Sequence, residues 1–244
     1  NKKKKTKALY RGFAIFTILM SILSFFYAYT LGSTLIIYGG IEILPTLFMA
    51  ITSIVVLITT INKVKGTVFG FKDYDMVMSL PLSNGQIVAS RLILLYSINF
   101  VFVLIIMIPM TIAYGILVRQ GFLFYVYSIV ITFFIPLIPI VIASIIGTIL
   151  TYVTMSFRYS NVVYMILVFL FLIASMIMPF FIQDSDEAFA VFNRDISGQI
   201  NRFYPLANMY SKAVTRLDLL SFISFMAVSI LTFLLFSLVI GKIF

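Results

Sequence analysis

The sequence predicts an all-α integral membrane protein that crosses the bilayer as six transmembrane helices. Of the 244 residues, 62% are hydrophobic and 10% are charged, and the mean hydropathy is +1.16, values outside the range of soluble domains. Apolar runs of about 20 residues, the length that crosses a ~30 Å hydrocarbon core as a helix, recur along the chain. These runs are 13–30, 41–62, 92–118, 123–153, 162–182 and 219–241.

The runs indicate helices and not barrel strands, because each is continuous and lacks the apolar-polar alternation of a lipid-facing strand. No Lys, Arg or Asp lies inside a run, and Glu42 lies at the end of one. The first two runs are separated only by LGSTLIIYGG. We therefore expect a helical hairpin that turns at Gly32, Gly39 and Gly40.

The later runs carry signals for short turns and for bends. RQGF, residues 119–122, is so short that we expect the third and fourth spans to be antiparallel neighbours. The fourth run is longer than a bilayer requires and contains Pro136 and Pro139, so we expect it to be tilted or broken. Pro109 and Pro179 permit bends in the third and fifth spans.

The connecting segments divide the charges unequally between the two sides of the membrane. Six spans place both termini on one side, together with segments 63–91 and 154–161. That side carries 12 of the 17 basic residues, namely Lys2, Lys3, Lys4, Lys5, Lys7, Arg11, Lys63, Lys65, Lys72, Arg91, Arg158 and Lys242. Of the acidic residues, only Asp73 and Asp75 lie there. Because basic residues near span ends stay in the cytoplasm, both termini are predicted to be cytoplasmic.

The basic tail KKKKTK could suggest a nucleic-acid partner, but beside a span it is typical of a topology determinant that contacts anionic headgroups. We therefore predict contact with membrane lipid and no nucleic-acid partner. The chain begins with Asn1 and not with Met, so we expect the natural protein to start upstream of it.

A polar segment, 63–91, lies on the predicted cytoplasmic side between spans two and three. Residues 71–80 fit a short helix, with Asp73 in its first turn and Pro81 as a stop. Ser83 to Gln86 matches a capping box, S-x-x-Q, which predicts a second helix that continues into span three. Two interpretations stay open: a docking surface for a cytoplasmic partner, or an interfacial helix on the headgroups.

A second polar segment, 183–218, lies on the predicted outer side before span six. Its first part is mixed in charge, and a helical pattern then begins at Tyr204 and Pro205, with Pro205 at an allowed first position. The apolar residues of this pattern are Leu206, Met209, Tyr210 and Ala213. It predicts an extracellular amphipathic helix that is either an interfacial anchor for span six or a gate.

The residue inventory excludes most site chemistry. The chain has no cysteine and no histidine, which removes thiolate sites and the commonest general base. No phosphate-binding loop occurs, and no ionisable residue lies mid-run, which disfavours an ion-coupled carrier and a membrane hydrolase. We predict no catalytic residue and no metal site. The polar side chains within the runs are Thr46, Thr52, Ser53, Thr59, Thr60, Asn99, Thr132, Ser144 and Ser175, most of which we expect to pack helices together.

FKDYDMVMSLPLSNGQIVASR, residues 71–91, resembles the first intracellular loop of G-subfamily-like ABC exporter permeases, the type-two exporter class, notably those of low-GC Gram-positive bacteria. RFYPLANMYSKAVTR, residues 202–216, is similar to the proline-led amphipathic stretch before the sixth span of that family. With the six spans and the cytoplasmic termini, the resemblance covers nearly the whole chain.

The resemblance implies a permease subunit in the plasma membrane that is not itself an enzyme and binds no cofactor. ATP and magnesium would be held by a separate ATP-binding cassette subunit. The residues implied to couple to that subunit are Phe71, Asp73, Tyr74, Asp75, Met76, Met78, Leu80 and Pro81.

The family's working unit has twelve spans, so the resemblance also implies a second permease subunit or half, in a homodimer or a heterodimer. Spans two and five would line the route of an amphipathic or lipophilic substrate such as an antimicrobial peptide, a lipid or a drug. Residues of that route would be Thr52, Ser53, Thr60 and Ser175, and an extracellular gate or anchor would contain Tyr204, Pro205, Met209 and Arg216. The alternative from another class is a non-transporting scaffold or sensor that recruits a cytoplasmic partner through segment 63–91.

Overall fold

The structure, a computed structural model, describes residues 2–64, 84–154 and 204–243. Every regular element in these ranges is helical, as the sequence predicts. The helices are α1 (Lys2–Ile37), α2 (Ile43–Val64), α3 (Asn84–Val118), α4 (Phe122–Thr132), α5 (Leu137–Thr154), α6 (Pro205–Thr215) and α7 (Leu219–Ile243).

Five segments of the described chain are long and apolar enough to cross a membrane: Arg11–Ile37, Ile43–Ile61, Ala89–Val118, Phe122–Thr148 and Leu219–Val239. The all-α class and the multi-pass membrane character are therefore confirmed. The predicted fifth span, 162–182, and the predicted helix at 71–80 lie outside the described residues, so the count of six spans and the cytoplasmic helix stay predictions.

The first turn differs from the prediction at one of its three glycines. Helix α1 continues through Gly32 to Ile37, and the chain reverses only afterwards, where Gly39 has a φ of +70° and the Gly40 N–H donates to Leu35 O at 2.8 Å. The prediction that Gly32 turns the hairpin is wrong. A Cβ atom at Gly32 would lie 2.5 Å from Leu117 Cδ1 and 3.2 Å from Leu44 Cδ2, so this glycine lets α1 approach its neighbours closely.

The turn between α3 and α4 confirms that these helices are antiparallel neighbours. The Gln120 N–H donates to Gly115 O at 3.0 Å, and Arg119 takes the left-handed conformation, with a φ of 55°, that commonly ends a helix. Just beyond the turn, the rings of Tyr114 and Phe124 stack at 5.5 Å between centroids.

The fourth predicted run is broken, as Pro136 suggests, because residues 133–136 separate α4 from α5. The break changes one backbone hydrogen bond. The Leu137 N–H donates to Phe134 O at 3.3 Å and not to the carbonyl four residues earlier, as it would in a continuous α-helix. That carbonyl, Phe133 O, accepts the Tyr96 hydroxyl at 2.9 Å. A side chain of α3 thus satisfies a group that the hydrocarbon core could not hydrate. Pro109, by contrast, lies inside the continuous helix α3.

The two ends of the helical bundle differ in charge. At one end, which we call the basic end, α1 begins, α2 ends and α3 begins, with Lys7, Arg11, Lys63 and Arg91 nearby. At the other, the Glu42 end, the chain turns from α1 to α2, from α3 to α4 and from α6 to α7. Which end faces the cytoplasm stays a prediction from the charge pattern.

Helix α2 is central to the described bundle and packs against α3, α5 and α6. Leu44, Val56 and Val64 along it are fully buried, whereas α1 presents a largely exposed apolar face. In a membrane such a face contacts lipid or another protein.

We expect Gly32→Val to lower the free energy of unfolding by about 1–3 kcal/mol, because the added methyl groups overlap Leu117 and Leu44. The matched control is Gly12→Val on the same helix, where a Cβ would meet nothing within 4 Å. Unfolding of both variants in mixed micelles by added dodecyl sulfate measures the difference. Equal stability of the two variants would contradict the close approach of α1.

Candidate functional site

Hydroxyl and amide side chains form a line along α2 that faces α3 and α6. We call this line the polar seam and define it as Thr52, Ser53, Thr59 and Thr60 of α2, Asn99 of α3, and Tyr204, the residue before α6. Three of the four residues predicted for a substrate route belong to it; the fourth, Ser175, lies outside the described ranges.

The part of the seam nearer the basic end joins α2 to α3 through Asn99. Its amide nitrogen donates to Thr60 Oγ1 at 3.0 Å and to Leu95 O at 2.8 Å, while its amide oxygen accepts the Thr59 hydroxyl. Asn99 and Thr60 are both fully buried. Because hydrocarbon offers no alternative partner, these bonds set the register of α2 against α3.

Farther along α2, Thr52 and Ser53 also lie within the bundle. The Thr52 hydroxyl donates to Phe48 O at 2.6 Å and approaches Met107 Sδ at 3.2 Å. Ser53 Oγ donates to Met49 O at 2.9 Å and lies 3.1 Å from Tyr204 Oη. A serine has one hydroxyl proton, so Tyr204 is the donor to Ser53.

These contacts fix the depth of α6 in the bundle. Its first turn adjoins Ser53, near the middle of α2, and its last turn adjoins Glu42, where the Ser211 hydroxyl donates to Glu42 O at 3.2 Å. Arg216 Nη2 forms an ion pair with Glu42 Oε2, also at 3.2 Å. Helix α6 therefore runs antiparallel to α2, and its 11 residues rise about 16 Å, half of a ~30 Å hydrocarbon core.

The packing of α6 bears on the predicted amphipathic segment before span six. A helix that only rests on the membrane surface would lie in the plane of the headgroups, whereas α6 packs lengthwise against α2 and α7. Its extracellular side and its role as an anchor or a gate stay predictions. Helix α6 does begin with Pro205 at its first position, as predicted.

The buried face of α6 is also rotated from the predicted one. Its buried residues are Ala207, Tyr210, Ser211, Ala213 and Val214. Leu206 and Met209 are only partly buried, and Pro205 is exposed. The reason is that α6 is enclosed by α2 on one side and α7 on another, so small and hydroxyl residues are needed where the helices meet.

Two tyrosines of this region differ in their hydrogen bonding. Tyr204 bonds to Ser53, whereas no described atom is within hydrogen-bonding geometry of Tyr210 Oη. The Tyr210 ring packs against Phe225, with 6.3 Å between the ring centroids.

Asp218 caps α7, a role that the sequence reasoning missed. Its carboxylate accepts the N–H groups of Leu220 and Ser221 at 3.3 and 3.2 Å, and also the Ser221 hydroxyl. The bond from that hydroxyl is the main cause that lowers the pKa of Asp218. An Asp just before an apolar run was the available signal.

The structure brings together some of the predicted site residues and not others. Ser53 meets Tyr204, and Arg216 meets Glu42, a partner that no sequence pattern identified. Thr52 and Thr60 are fully buried, so neither is exposed on the outer surface of the described bundle. All eight predicted coupling residues, Phe71, Asp73, Tyr74, Asp75, Met76, Met78, Leu80 and Pro81, lie outside the described residues.

The chemistry available in the described ranges is hydrogen bonding and apolar contact. No cluster of three His, Cys, Asp or Glu residues that could hold a metal occurs there. Comparisons with protein-family models, with curated proteins and with solved structures found no match.

We expect Ser53→Ala and Tyr204→Phe to show a coupling energy of about 0.5–1.5 kcal/mol in a double-mutant cycle, because each removes one partner of the same buried bond. Unfolding in mixed micelles supplies the four stabilities. Ser97→Ala with Tyr27→Phe is the control cycle, since Ser97 is exposed and bonds only within its own helix, and Tyr27 is exposed too. A coupling energy of zero for Ser53 and Tyr204 would contradict the placement of α6.

Proposed function

We propose that this chain is the transmembrane permease subunit of an ATP-driven ABC exporter in the plasma membrane. It would move an amphipathic or lipophilic substrate, such as an antimicrobial peptide, a lipid or a drug, outward by alternating access. A separate ATP-binding cassette subunit would hold ATP and magnesium. The observation that carries the proposal is the segment between α2 and α3, whose sequence resembles the coupling loop of such permeases.

The ends of the flanking helices support that assignment. Helix α2 ends and α3 begins at the basic end, so segment 65–83 joins them on the side that the basic residues predict to be cytoplasmic. Helix α3 begins at Asn84, within the predicted capping box. A coupling element between spans two and three must lie on the cytoplasmic side, and this arrangement is consistent with that.

The composition of the spans supports an external energy source. Among the described residues, the five spanning segments contain two charged residues, Arg11 and Arg91, and each lies within the first three positions of its segment. Ion-coupled carriers place ionisable groups within the membrane as binding or relay sites. A permease driven by a partner's ATP hydrolysis needs none.

Helix α5 ends at Thr154, at the basic end, and the next described residue, Tyr204, lies beside Ser53 near the middle of α2. The predicted span 162–182 would make that crossing and complete six spans. A second permease unit, identical or paralogous, would complete the twelve. Because Ser53 faces α6, such a unit would meet α2 through Ile54, which is exposed.

Single-cysteine labelling tests the orientation, and the chain has no native cysteine. We expect Ser79→Cys to react with an impermeant maleimide only from the cytoplasm, and Asn193→Cys only from outside, because charge places segments 63–91 and 183–218 on opposite sides. Reaction of both from one side would contradict six spans.

The function itself is tested at the predicted coupling helix. We expect Tyr74→Ala with Met78→Ala to weaken capture of the ATP-binding subunit by removing apolar anchors. Asp73→Lys with Asp75→Lys should weaken it by charge reversal, with greater sensitivity to salt. The measurements are co-purification of the ATP-binding subunit and substrate-stimulated ATP hydrolysis, at matched expression.

The control is Lys212→Met, on the exposed face of α6 at the opposite end of the bundle, which should leave both measurements unchanged. If the segment is only an interfacial helix, the two lysines should be tolerated, because they face an anionic leaflet. Wild-type capture and hydrolysis in both double mutants would reject the coupling role. Capture without ATP-dependent transport would favour the scaffold or sensor.

A further inference from the structure

An apolar groove runs between α1, α2 and α3. Its volume is about 650 Å³. The side chains that define it include Phe16, Met20 and Tyr27 of α1, Ile51 of α2, and Phe102 and Ile105 of α3. On α1 the lining extends from Phe16 to Thr30, about 21 Å along the helix axis, which is more than one leaflet of a ~30 Å core.

A positive charge from the basic end of the bundle lies beside one wall of the groove. The Lys63 ammonium lies 5.7 Å from the centroid of the Phe102 ring, and this ring lines the groove. A lysine at the end of a span usually extends toward water. Here the ammonium lies instead against an aromatic wall of an apolar channel, and burial lowers the pKa of Lys63.

Lys63 lacks a carboxylate partner among the described residues. The acids in those ranges are Glu42 and Asp218, and both lie at the opposite end of the bundle, where Glu42 pairs with Arg216. Lys7 and Arg11, both exposed, add positive charge at the same end as Lys63. The local field therefore favours an anion.

We propose that this groove binds an anionic phospholipid, with an acyl chain along α1 and the phosphate at Lys63. The site combines an apolar channel of leaflet length with the Lys63 ammonium beside one of its walls, and basic pockets between transmembrane helices bind anionic headgroups. A zwitterionic lipid fits the same channel but gains less from Lys63, since its own cation opposes the contact. The inference requires only that the helices cross a membrane and does not depend on ATP-driven export.

The absence of tryptophan from the sequence permits a direct test with one reporter. Phe102→Trp keeps an aromatic face beside Lys63 and places an indole in the groove. The full chain is reconstituted in bilayers that contain brominated phosphatidylglycerol or brominated phosphatidylcholine, whose acyl chains quench the indole on contact. Competition between the two lipids gives their relative affinity at the groove.

We expect phosphatidylglycerol to be preferred about five-fold at the Phe102→Trp reporter, the effect of one lysine near an anionic headgroup. Lys63→Met should abolish the preference, and Lys63→Arg should retain it. Leu235→Trp, on the exposed face of α7, is the control and should show no headgroup preference. Equal quenching by the two lipids at the groove would overturn the proposal.

Protection of the Phe102→Trp reporter from both lipids would also overturn the proposal, because another protein chain would then cover the groove. A measurement without the reporter guards against misfolding of that variant. Mass spectrometry of lipids retained by the otherwise native chain should show several-fold less anionic lipid for Lys63→Met than for Lys212→Met, whose lysine lies on α6 at the opposite end. Equal retention by the two variants would overturn the proposal independently of the fluorescence.

Discussion

The hydrogen bonds of Asn99 show the constraint on which the described bundle depends: no water is available in hydrocarbon, so a polar group there can be satisfied only by a partner within the protein. Asn99 has three partners, two of them threonines on α2. The same constraint explains why Tyr96 reaches the carbonyl that the break at residues 133–136 leaves open. The polar side chains at these positions hold the helices in register through hydrogen bonds between uncharged groups.

The contacts at the two ends of α6 set its depth in the bundle. A helix that begins near mid-membrane exposes N–H groups that a surface helix would give to water. Pro205 at the first position removes one such donor, and the Tyr204 hydroxyl before it bonds to Ser53. At the other end of α6 the side chains are charged. Arg216 forms an ion pair with Glu42, and the Asp218 carboxylate caps α7.

The charged side chains at the two ends of the bundle differ in their partners. At the Glu42 end, Glu42 pairs with Arg216 and Asp218 caps α7. At the basic end, Lys63 lies against the Phe102 ring, which lines an apolar groove. A lipid phosphate would pair with Lys63 at the basic end, as the Glu42 carboxylate pairs with Arg216 at the other end. A lipid bound there would also lie beside the start of the segment proposed to contact the ATP-binding subunit.

The sequence by itself determined the all-α class, the apolar spans, the break near Pro136, the start of α6 at Pro205 and the lack of ionisable groups at mid-membrane, because each is a property of consecutive residues. Gly32 shows the limit of such reasoning, since a glycine that turns a chain and one that admits a neighbouring helix have the same local signal. The depth and rotation of α6 likewise depend on Tyr204 meeting a serine 151 residues away. Only the tertiary structure decided these features and the direction of the Lys63 side chain. Which helix faces meet depends on side-chain volumes and hydrogen-bond partners on different helices, and the periodicity along one helix does not encode those contacts.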